Sequence, residues 1–150
     1  MTPDAEQVVL VVEDSDEDRE AIHRALSRSH PELVLEFLPD GHLVADRLRD
    51  TGLPRPVLVL LDLNMPGADG FRVLADIRAD PAPRVRDVIV VVFTSSTTSS
   101  DTDRSYEAGA DSYVYKPVNF ALFRTVLQGA VEYWRTNGYA RPDAPGAAVR

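Results

Sequence analysis

The sequence predicts an α/β fold in which a doubly wound parallel sheet of five strands is covered by five helices. Short apolar runs alternate along the chain with segments whose apolar residues have helical spacing, as in repeated strand–helix–strand units. One run, Val57–Leu61, is apolar throughout and is bounded by Pro56 and by turn residues after Asp62, which is typical of a strand buried on both faces. Crossover connections of this kind are right-handed and make the strands parallel.

The first part of the chain supplies two strands and two helices before that run. Gln7–Val12 is apolar after its first residue and is predicted to be a strand. Asp16–Ser29 follows as a helix with an acidic first turn, capped by Ser15 or by its own first residue. Leu33–Leu38 is predicted to be the second strand, and Gly41–Arg49 a short helix with an inward apolar face.

The middle of the chain continues the alternation. Asp69–Ala79 has apolar residues at helical spacing and is predicted to be a helix. Val88–Phe93 is almost entirely β-branched, which is typical of strands, and is predicted to be the fourth strand. Ser99–Ala108 is a polar helix in which Ser100 and Asp103 fit a capping-box pattern. We expect this helix to be the least stable element, because few of its residues can face a core.

The last elements define the predicted domain organisation. Ser112–Tyr115 is a short fifth strand, and Phe120–Asn137 is a long helix with one apolar stripe. We therefore predict one domain over residues 7–137, with an N-terminal extension over 1–6. Residues 138–150 have no periodic pattern and are predicted to be a mostly disordered tail.

Composition and charge narrow the classes of function. Sixteen basic and 24 acidic residues give a net charge of −8, which argues against binding to nucleic acid or to an anionic membrane. The absence of cysteine excludes disulfides, zinc–thiolate sites and thiol catalysis. The sequence has no signal-peptide pattern and no apolar stretch near the roughly 20 residues of a membrane span. The expectation is a cytoplasmic protein.

Three carboxylates follow two of the predicted strands. Glu13 and Asp14 follow the first strand and Asp62 follows the third, so all three lie where open α/β sheets place their sites. Their mutual repulsion predicts a divalent metal such as Mg²⁺, with Asp62 as ligand and as nucleophile toward phosphorus. The alternative for Asp62 is a turn residue. The neighbouring run Asp16–Asp18 is interpreted as a solvated acidic start of a helix.

Other polar residues end the remaining strands. Thr94 follows the fourth strand, where its hydroxyl would reach a phosphoryl oxygen. Lys116 follows the fifth strand and is interpreted as the counter-charge to the carboxylates, with Lys116–Pro117 as a candidate cis peptide bond. Tyr113 is interpreted as an outward-facing strand aromatic. The three histidines show no metal-ligand spacing and are expected at the surface: His23, His30 and His42.

These motifs, in this order, resemble the response-regulator receiver domain of two-component signalling. The resemblance covers about residues 7–136 and implies a flavodoxin-like fold with strand order 2-1-3-4-5. It rests on five stretches in sequence order: Val12–Asp14, Leu60–Gly70, Val92–Ser95, Gly109–Tyr113 and Lys116-Pro117.

The resemblance implies a role for each matching residue. Asp62 would accept phosphate from a sensor histidine kinase, and Mg²⁺, or alternatively Mn²⁺, would be held by Glu13, Asp14, Asp62 and the main-chain carbonyl of Asn64. Such a protein is not an enzyme beyond its own phosphorylation and dephosphorylation. The residues implied to respond to the phosphoryl group are Thr94 and Lys116 as contacts, Tyr113 as the switch aromatic, and Pro117 after a cis bond.

A narrower resemblance concerns partners. Asp111–Val114 and Glu132–Trp134 look like the small regulators that partner bacterial phytochromes. Only 16 residues follow Trp134, so we expect the signal to pass by protein contact and not through DNA. The last helix also has apolar residues outside its core stripe, namely Leu122, Val126 and Tyr133. They predict a homodimer whose surface involves the fourth helix, the fifth strand and the fifth helix.

Three alternatives remain open from the residues. A haloacid-dehalogenase-type phosphatase would need an acid two residues after the nucleophile, where this chain has Asn64. A flavodoxin-like FMN carrier would need a phosphate loop after the first strand, where Glu13 and Asp14 would repel a phosphate. A receiver fold reduced to a scaffold would lack the site residues, all of which are present here.

Overall fold

A parallel sheet of five strands forms the centre of the structure, a computed structural model that describes residues 6–65 and 68–142. The strand order is β2-β1-β3-β4-β5, with every neighbouring pair parallel. The α/β class and the order 2-1-3-4-5 are thus confirmed. The strands are β1 (Gln7–Val12), β2 (Leu33–Leu38), β3 (Leu58–Leu61), β4 (Ile89–Thr94) and β5 (Ser112–Tyr115).

Helices cover both faces of this sheet. Two features were not predicted: a one-turn helix, Pro83–Arg86, and a two-stranded antiparallel ribbon in which Asn64–Met65 pairs with Ala68–Asp69. Both are too short to show periodicity in the sequence. The main helices are α1 (Asp16–Ser29), α2 (Val44–Arg49, after a 3-10 turn at Gly41–Leu43), α3 (Gly70–Ala79), α4 (Ser99–Ala108) and α5 (Phe120–Thr136).

Alternate residues of each central strand face two separate cores. In β1, Val9 and Val11 pack with α1 and α5 on one face. Leu10 and Val12 pack with α2 and α3 on the other. Because successive strand residues point to opposite faces, both sets must be apolar. This explains the continuous apolar runs that predicted the strands.

Helix α4 is anchored differently from the prediction. Its N-cap is Thr98, whose hydroxyl accepts a hydrogen bond from the backbone N–H of Asp101, so the predicted cap at Ser100 and Asp103 is wrong. A run of adjacent hydroxyl residues offers several equivalent caps, and sequence spacing alone does not choose among them. Ser105 is the one residue of α4 that is fully buried, which agrees with a weakly anchored helix.

His30 is buried, so its predicted surface position is wrong. Its ring nitrogens lie 2.7 Å from the Ser29 hydroxyl and 2.9 Å from a carboxylate oxygen of Glu132. The residue ends α1 where that helix packs on α5, a contact that the local sequence does not reveal. His23 and His42 are exposed, as predicted.

The chain after α5 folds back against the domain as far as the structure describes it. Tyr139 packs against the α1–α5 core, and Arg141 donates to Asp111 at 2.8 Å. Residues 138–142 therefore differ from the predicted disordered tail. Residues 1–5 of the predicted extension and 143–150 of the predicted tail lie outside the described residues. Among the described helices, none has the length and apolar character needed to cross a bilayer.

Gly70 permits the close approach of α3 to the end of β3. A Cβ atom at Gly70 would lie 2.7 Å from the Cα atom of Leu63 and 3.1 Å from the carbonyl oxygen of Asp62. Both are backbone atoms, so the clash cannot be relieved by a side-chain rotation. The Asp62 loop thus depends on a glycine at the first position of α3.

Gly70→Ala should lower the free energy of unfolding by about 1–3 kcal/mol, the usual cost of overpacking. The matched control is Gly129→Ala, because nothing lies within 4 Å of a Cβ added to that helical glycine. The control should raise stability by roughly 0.5–1 kcal/mol. Urea denaturation of both variants measures the two changes, and equal shifts would contradict the proposed close approach.

Candidate functional site

Polar residues from four strands meet at the carboxyl edge of the sheet. Glu13 and Asp14 follow β1, Asp62 follows β3, Thr94 ends β4 and Lys116 follows β5. Because β1 and β3 are neighbours in the sheet, their acidic residues are brought together. This is the crevice where open α/β sheets bind their ligands.

Three carboxylates form the acidic part of the site. Oxygen atoms of Glu13, Asp14 and Asp62 all lie within 4.8 Å of one another. Glu13 and Asp62 are buried, with 2% and 8% exposure, while Asp14 is exposed. A set of carboxylate oxygens open to solvent on one side is the donor chemistry that Mg²⁺ and Mn²⁺ prefer, so these residues suit such an ion.

Lys116 is the buried counter-charge of this cluster. Its Nζ atom donates to Glu13 at 2.5 Å, to Asp18 at 2.8 Å and to Asp62 at 3.3 Å. Burial alone would lower the pKa of Lys116, but the carboxylates of Asp62 and Glu13 outweigh it and raise that pKa. The ammonium ion is therefore retained in the folded protein, as the sequence interpretation expected.

Asp18 is a site residue that sequence reasoning missed. It was assigned with Asp16 and Glu17 to the solvated start of α1, yet its carboxylate bonds to the Lys116 ammonium. No local signal distinguished it, because Asp18 shares the first turn of α1 with Asp16 and Glu17, and its contact with Lys116 spans 98 residues of sequence.

Burial and like charge act on Glu13. Burial raises the pKa of its carboxyl to about 7; the Lys116 ammonium opposes the shift, and the Asp62 carboxylate adds to it. A buried acid beside another carboxylate resists ionisation because its negative charge is poorly solvated. The cluster therefore holds a proton to a higher pH than separate carboxylates would.

Asn64 and Thr94 connect Asp62 to β4. The backbone N–H of Asn64 donates to Asp62 Oδ1 at 3.1 Å, and the Asn64 side-chain amide donates to Thr94 Oγ1 at 3.1 Å. Thr94 is fully buried. The backbone N–H of Ser96 also donates to Thr94 Oγ1, at 3.4 Å. Thr94 thus links Asp62 to the loop before α4.

Tyr113 is joined to the same loop, so its interpretation as an outward-facing aromatic is wrong. Its hydroxyl donates to the carbonyl oxygen of Ser96 at 2.9 Å, and its backbone N–H donates to the Tyr106 hydroxyl at 3.1 Å. The Ser96 hydroxyl donates to Asp101 in the first turn of α4 at 2.5 Å. Hydrogen bonds therefore run from Asp62 to α4 and to the edge strand β5.

The predicted cis bond before Pro117 is wrong in this structure. No peptide bond among the described residues is cis, so Lys116 and Pro117 are joined by a trans bond. The trans form is the intrinsically favoured one by about 0.5–1 kcal/mol for a bond preceding proline. The backbone N–H of Lys116 bonds to the Thr94 carbonyl at 2.7 Å, which positions the lysine at the site.

Comparison with known protein families identifies the family of this chain. The sequence model of the response regulator receiver domain family matches residues 9–128. The chain belongs to the response regulator receiver family. The resemblance inferred from the sequence motifs is thereby confirmed over most of the chain.

Similar proteins include a probable methanogenesis regulator and a phytochrome response regulator. The probable methanogenesis regulatory protein FilR2 of Methanothrix harundinacea is 36% identical over 141 residues, 92% of this chain and 88% of its own. The phosphorylated cyanobacterial phytochrome response regulator RcpA has 32% identity and a TM-score of 0.80, covering 88% of this chain and 96% of that chain.

Response regulator Rcp1 of Synechocystis matches in sequence and in structure. It is 36% identical over 132 residues, 85% of this chain and 88% of its own. Its Mn²⁺-bound form has a TM-score of 0.75 and 32% identity, covering 96% of this chain and 99% of that chain. The chain is therefore a receiver of the Rcp1 type.

The raised pKa of Glu13 predicts a pH-dependent stability of the metal-free receiver. The folded state holds the Glu13 proton up to about pH 7, whereas the unfolded chain releases it near 4.5. The contribution is complete below pH 4.5 and is lost as pH rises through about 7. Glu13→Gln should flatten this fall.

Urea unfolding of both proteins between pH 5 and 8 measures the difference. The unfolding free energy of the wild type should fall relative to that of Glu13→Gln as pH rises, because glutamine resembles the protonated carboxyl and does not titrate. A difference that stays constant would show that Glu13 titrates normally.

Proposed function

We propose that this receiver accepts a phosphoryl group on Asp62 from the phosphohistidine of a sensor histidine kinase. The observation that carries the proposal is that the Asp62 carboxylate accepts a hydrogen bond from the Lys116 ammonium and belongs, with Glu13 and Asp14, to an acidic cluster suited to a divalent cation. A carboxylate so placed can attack phosphorus while positive charge surrounds the phosphoryl oxygens. A turn aspartate would need neither neighbour.

The metal ligands are proposed to be Glu13, Asp14, Asp62 and the main-chain carbonyl of Asn64, with Mg²⁺ as the ion and Mn²⁺ as a substitute. Their carboxylate oxygens are close enough for shared coordination, and the similar receiver Rcp1 has an Mn²⁺-bound form. When bound, the ion neutralises charge on the transferring phosphoryl oxygens.

The chain's own residues orient the transfer. An Asp62 carboxylate oxygen forms the new bond to phosphorus as the bond from phosphorus to the kinase histidine nitrogen breaks, and the histidine keeps the electron pair. Lys116 donates to a phosphoryl oxygen, and the buried Thr94 hydroxyl is proposed to donate to another. Water, oriented by Asn64 and Ser96 at the site edge, later attacks phosphorus. The bond from phosphorus to the Asp62 oxygen breaks, inorganic phosphate leaves with the water's oxygen, and the Asp62 carboxylate is regenerated.

The same contacts supply a route for the signal. A Thr94 hydroxyl drawn toward the phosphoryl group would pull on the Ser96 backbone N–H that now donates to it. Ser96 is also bonded to Tyr113 and Asp101. We propose that Tyr113 changes rotamer with this movement and that α4, anchored by little buried surface, shifts with it.

The kinase partner is proposed to be a bacteriophytochrome or a related sensor. Support comes from the similarity to RcpA, a cyanobacterial phytochrome response regulator. Receiver domains take phosphate from histidine kinases as a family, so the class of partner does not depend on this narrower step.

Asp62→Asn should abolish phosphorylation by acetyl phosphate or by a histidine kinase while leaving the fold intact. Amide nitrogen and oxygen lack the nucleophilicity of a carboxylate. Phosphate-affinity electrophoresis measures the labelled fraction, and chelation of divalent metal should also prevent labelling of the wild type.

The control is Asp46→Asn, whose carboxylate is 88% exposed on α2 and should not affect labelling. Label that persists on Asp62→Asn would move the acceptor to another residue. A wild type that takes no label with metal present would refute the proposed function.

A homodimer surface is proposed on α4, β5 and α5. Five large apolar side chains are exposed on these elements and on the loop between β5 and α5, whereas Val126, predicted to join them, packs partly against the core. Exposed apolar groups gathered on one side of a domain indicate a contact surface. The five are Tyr106, Tyr115, Val118, Leu122 and Tyr133.

Beryllofluoride with Mg²⁺, which mimics the phosphoryl group, should increase the dimer fraction measured by sedimentation. Leu122→Arg should weaken the dimer by placing a charge on the apolar surface. Leu53→Arg is the matched control, because Leu53 is also exposed, at 45%, but lies away from these elements. A receiver that stays monomeric at high concentration in both states would exclude the surface.

A further inference from the structure

Three arginine side chains gather at a cleft between α1 and α5. Arg24 and Arg28 belong to α1 and Arg124 belongs to α5. Together with Phe120 they line a cleft of about 290 Å³. The cleft shares no lining residue with the carboxylate site, so phosphorylation of Asp62 does not account for it.

Arginine is usually paired in this acidic protein. Apart from these three and Arg104, each described arginine donates to a carboxylate or to a backbone carbonyl oxygen. In contrast, no carboxylate among the described residues lies within ion-pair distance of Arg28 or Arg124, and Arg24 reaches Glu20 only at 3.8 Å. The chain has 24 acidic and 16 basic residues, so a scarcity of carboxylates does not explain why these arginines lack close partners.

Phe120 holds two of the guanidinium groups in place. The Cζ atom of Arg24 lies 4.3 Å from the centroid of the Phe120 ring, and that of Arg124 lies 5.9 Å from it. The Phe120 ring in turn stacks on the buried Phe123, with 6.0 Å between the ring centroids. A cation above an aromatic ring is held by its charge and needs no hydrogen-bond acceptor there. Two of the three cations are therefore positioned before a ligand arrives, which lowers the ordering cost of binding.

Helix electrostatics does not explain the whole group. The helix dipole favours a basic residue in the last turn of a helix, which accounts for Arg28 in α1. Arg24 lies in the middle of α1, and Arg124 lies near the N-terminal end of α5, where the dipole gives a cation no such benefit. Like charges gathered from two helices repel each other unless an anion lies between them.

The charge and size of the cleft indicate the class of that anion. Three guanidinium groups carry three positive charges, and their planar N–H donors match the geometry of phosphate oxygens. A single carboxylate would neutralise only one of the three. A diphosphate group carries several negative charges and many acceptor oxygens in a small volume, so it suits a cleft of this size.

We propose that the cleft between α1 and α5 binds a small anion that bears phosphate groups, with a diphosphate group as the best match. Arg28 and Arg124 donate to its oxygens from the two helices, and Arg24 adds its charge from above Phe120. The bound anion joins α1 to α5 and so stabilises the folded receiver. The proposal does not depend on phosphorylation of Asp62.

Calorimetric titration of the full chain with pyrophosphate tests the site. Divalent metal is left out, because it binds pyrophosphate and would also let phosphate approach Asp62. The wild type should bind one pyrophosphate, and Arg28→Gln or Arg124→Gln should each weaken the affinity about tenfold through the loss of one charged hydrogen bond. Arg72→Gln is the control, because Arg72 is 77% exposed on α3 and paired with Asp76; it should leave the affinity unchanged.

Backbone amide resonances locate the bound anion. Pyrophosphate should shift the resonances of Arg24, Arg28 and Arg124, whereas those of Asp62 and Thr94 should stay in place. Sodium chloride at the same ionic strength should not reproduce these shifts. Equal shifts with both salts would show charge screening alone and would overturn the proposal.

Two further probes, used at matched ionic strength, separate the chemistries that a positive cleft accepts. ATP should bind about as tightly as pyrophosphate, because the phosphate groups carry the recognition, and pentaglutamate should bind much more weakly. Pentaglutamate that binds more tightly than pyrophosphate would assign the cleft to an acidic protein segment and overturn the proposal. A wild type without saturable pyrophosphate binding at millimolar concentration, or variants at Arg28 and Arg124 that bind it like wild type, would also overturn it.

Discussion

A single buried ammonium ion holds together carboxylates that would otherwise repel each other, and the rest of the site depends on this interaction. Lys116 Nζ contacts Glu13, Asp18 and Asp62 from one position. A guanidinium group would not replace it, because its planar fork is suited to side-on pairing with one carboxylate, not to a compact point contact with three. Lys116 is the only lysine in the sequence.

The strand order and a chain of hydrogen bonds connect this site to the surface of the domain. Parallel order brings the ends of β1, β3, β4 and β5 to one edge, and Gly70 lets α3 approach the Asp62 backbone closely. From Asp62, hydrogen bonds continue through Thr94 to Ser96, and from there to α4 and β5. The apolar cores keep the strands fixed, while α4 has little buried surface. Local change at the carboxylates can therefore reach an exposed face.

The sequence predicted those parts of the structure that leave a strong local pattern. Continuous apolar runs identified the strands, and residues at strand ends identified Glu13, Asp62, Thr94 and Lys116. It did not predict contacts made between distant segments: Asp18 with Lys116, or the burial of His30 against α5. The N-cap of α4 was wrong because adjacent hydroxyl residues are equivalent in sequence, and the bond before Pro117 was wrong because the motif does not determine its isomer.

The melting temperature as a function of Mg²⁺ concentration tests most directly whether Glu13, Asp14 and Asp62 form a divalent-cation site. If the mutual repulsion of these three carboxylates limits the stability of the fold, Mg²⁺ binds the folded state and stabilises it. At about 20 times the dissociation constant the gain is about 1.8 kcal/mol, or roughly 4–7 °C for a chain of this size. A melting temperature that does not change at millimolar Mg²⁺ would contradict the account.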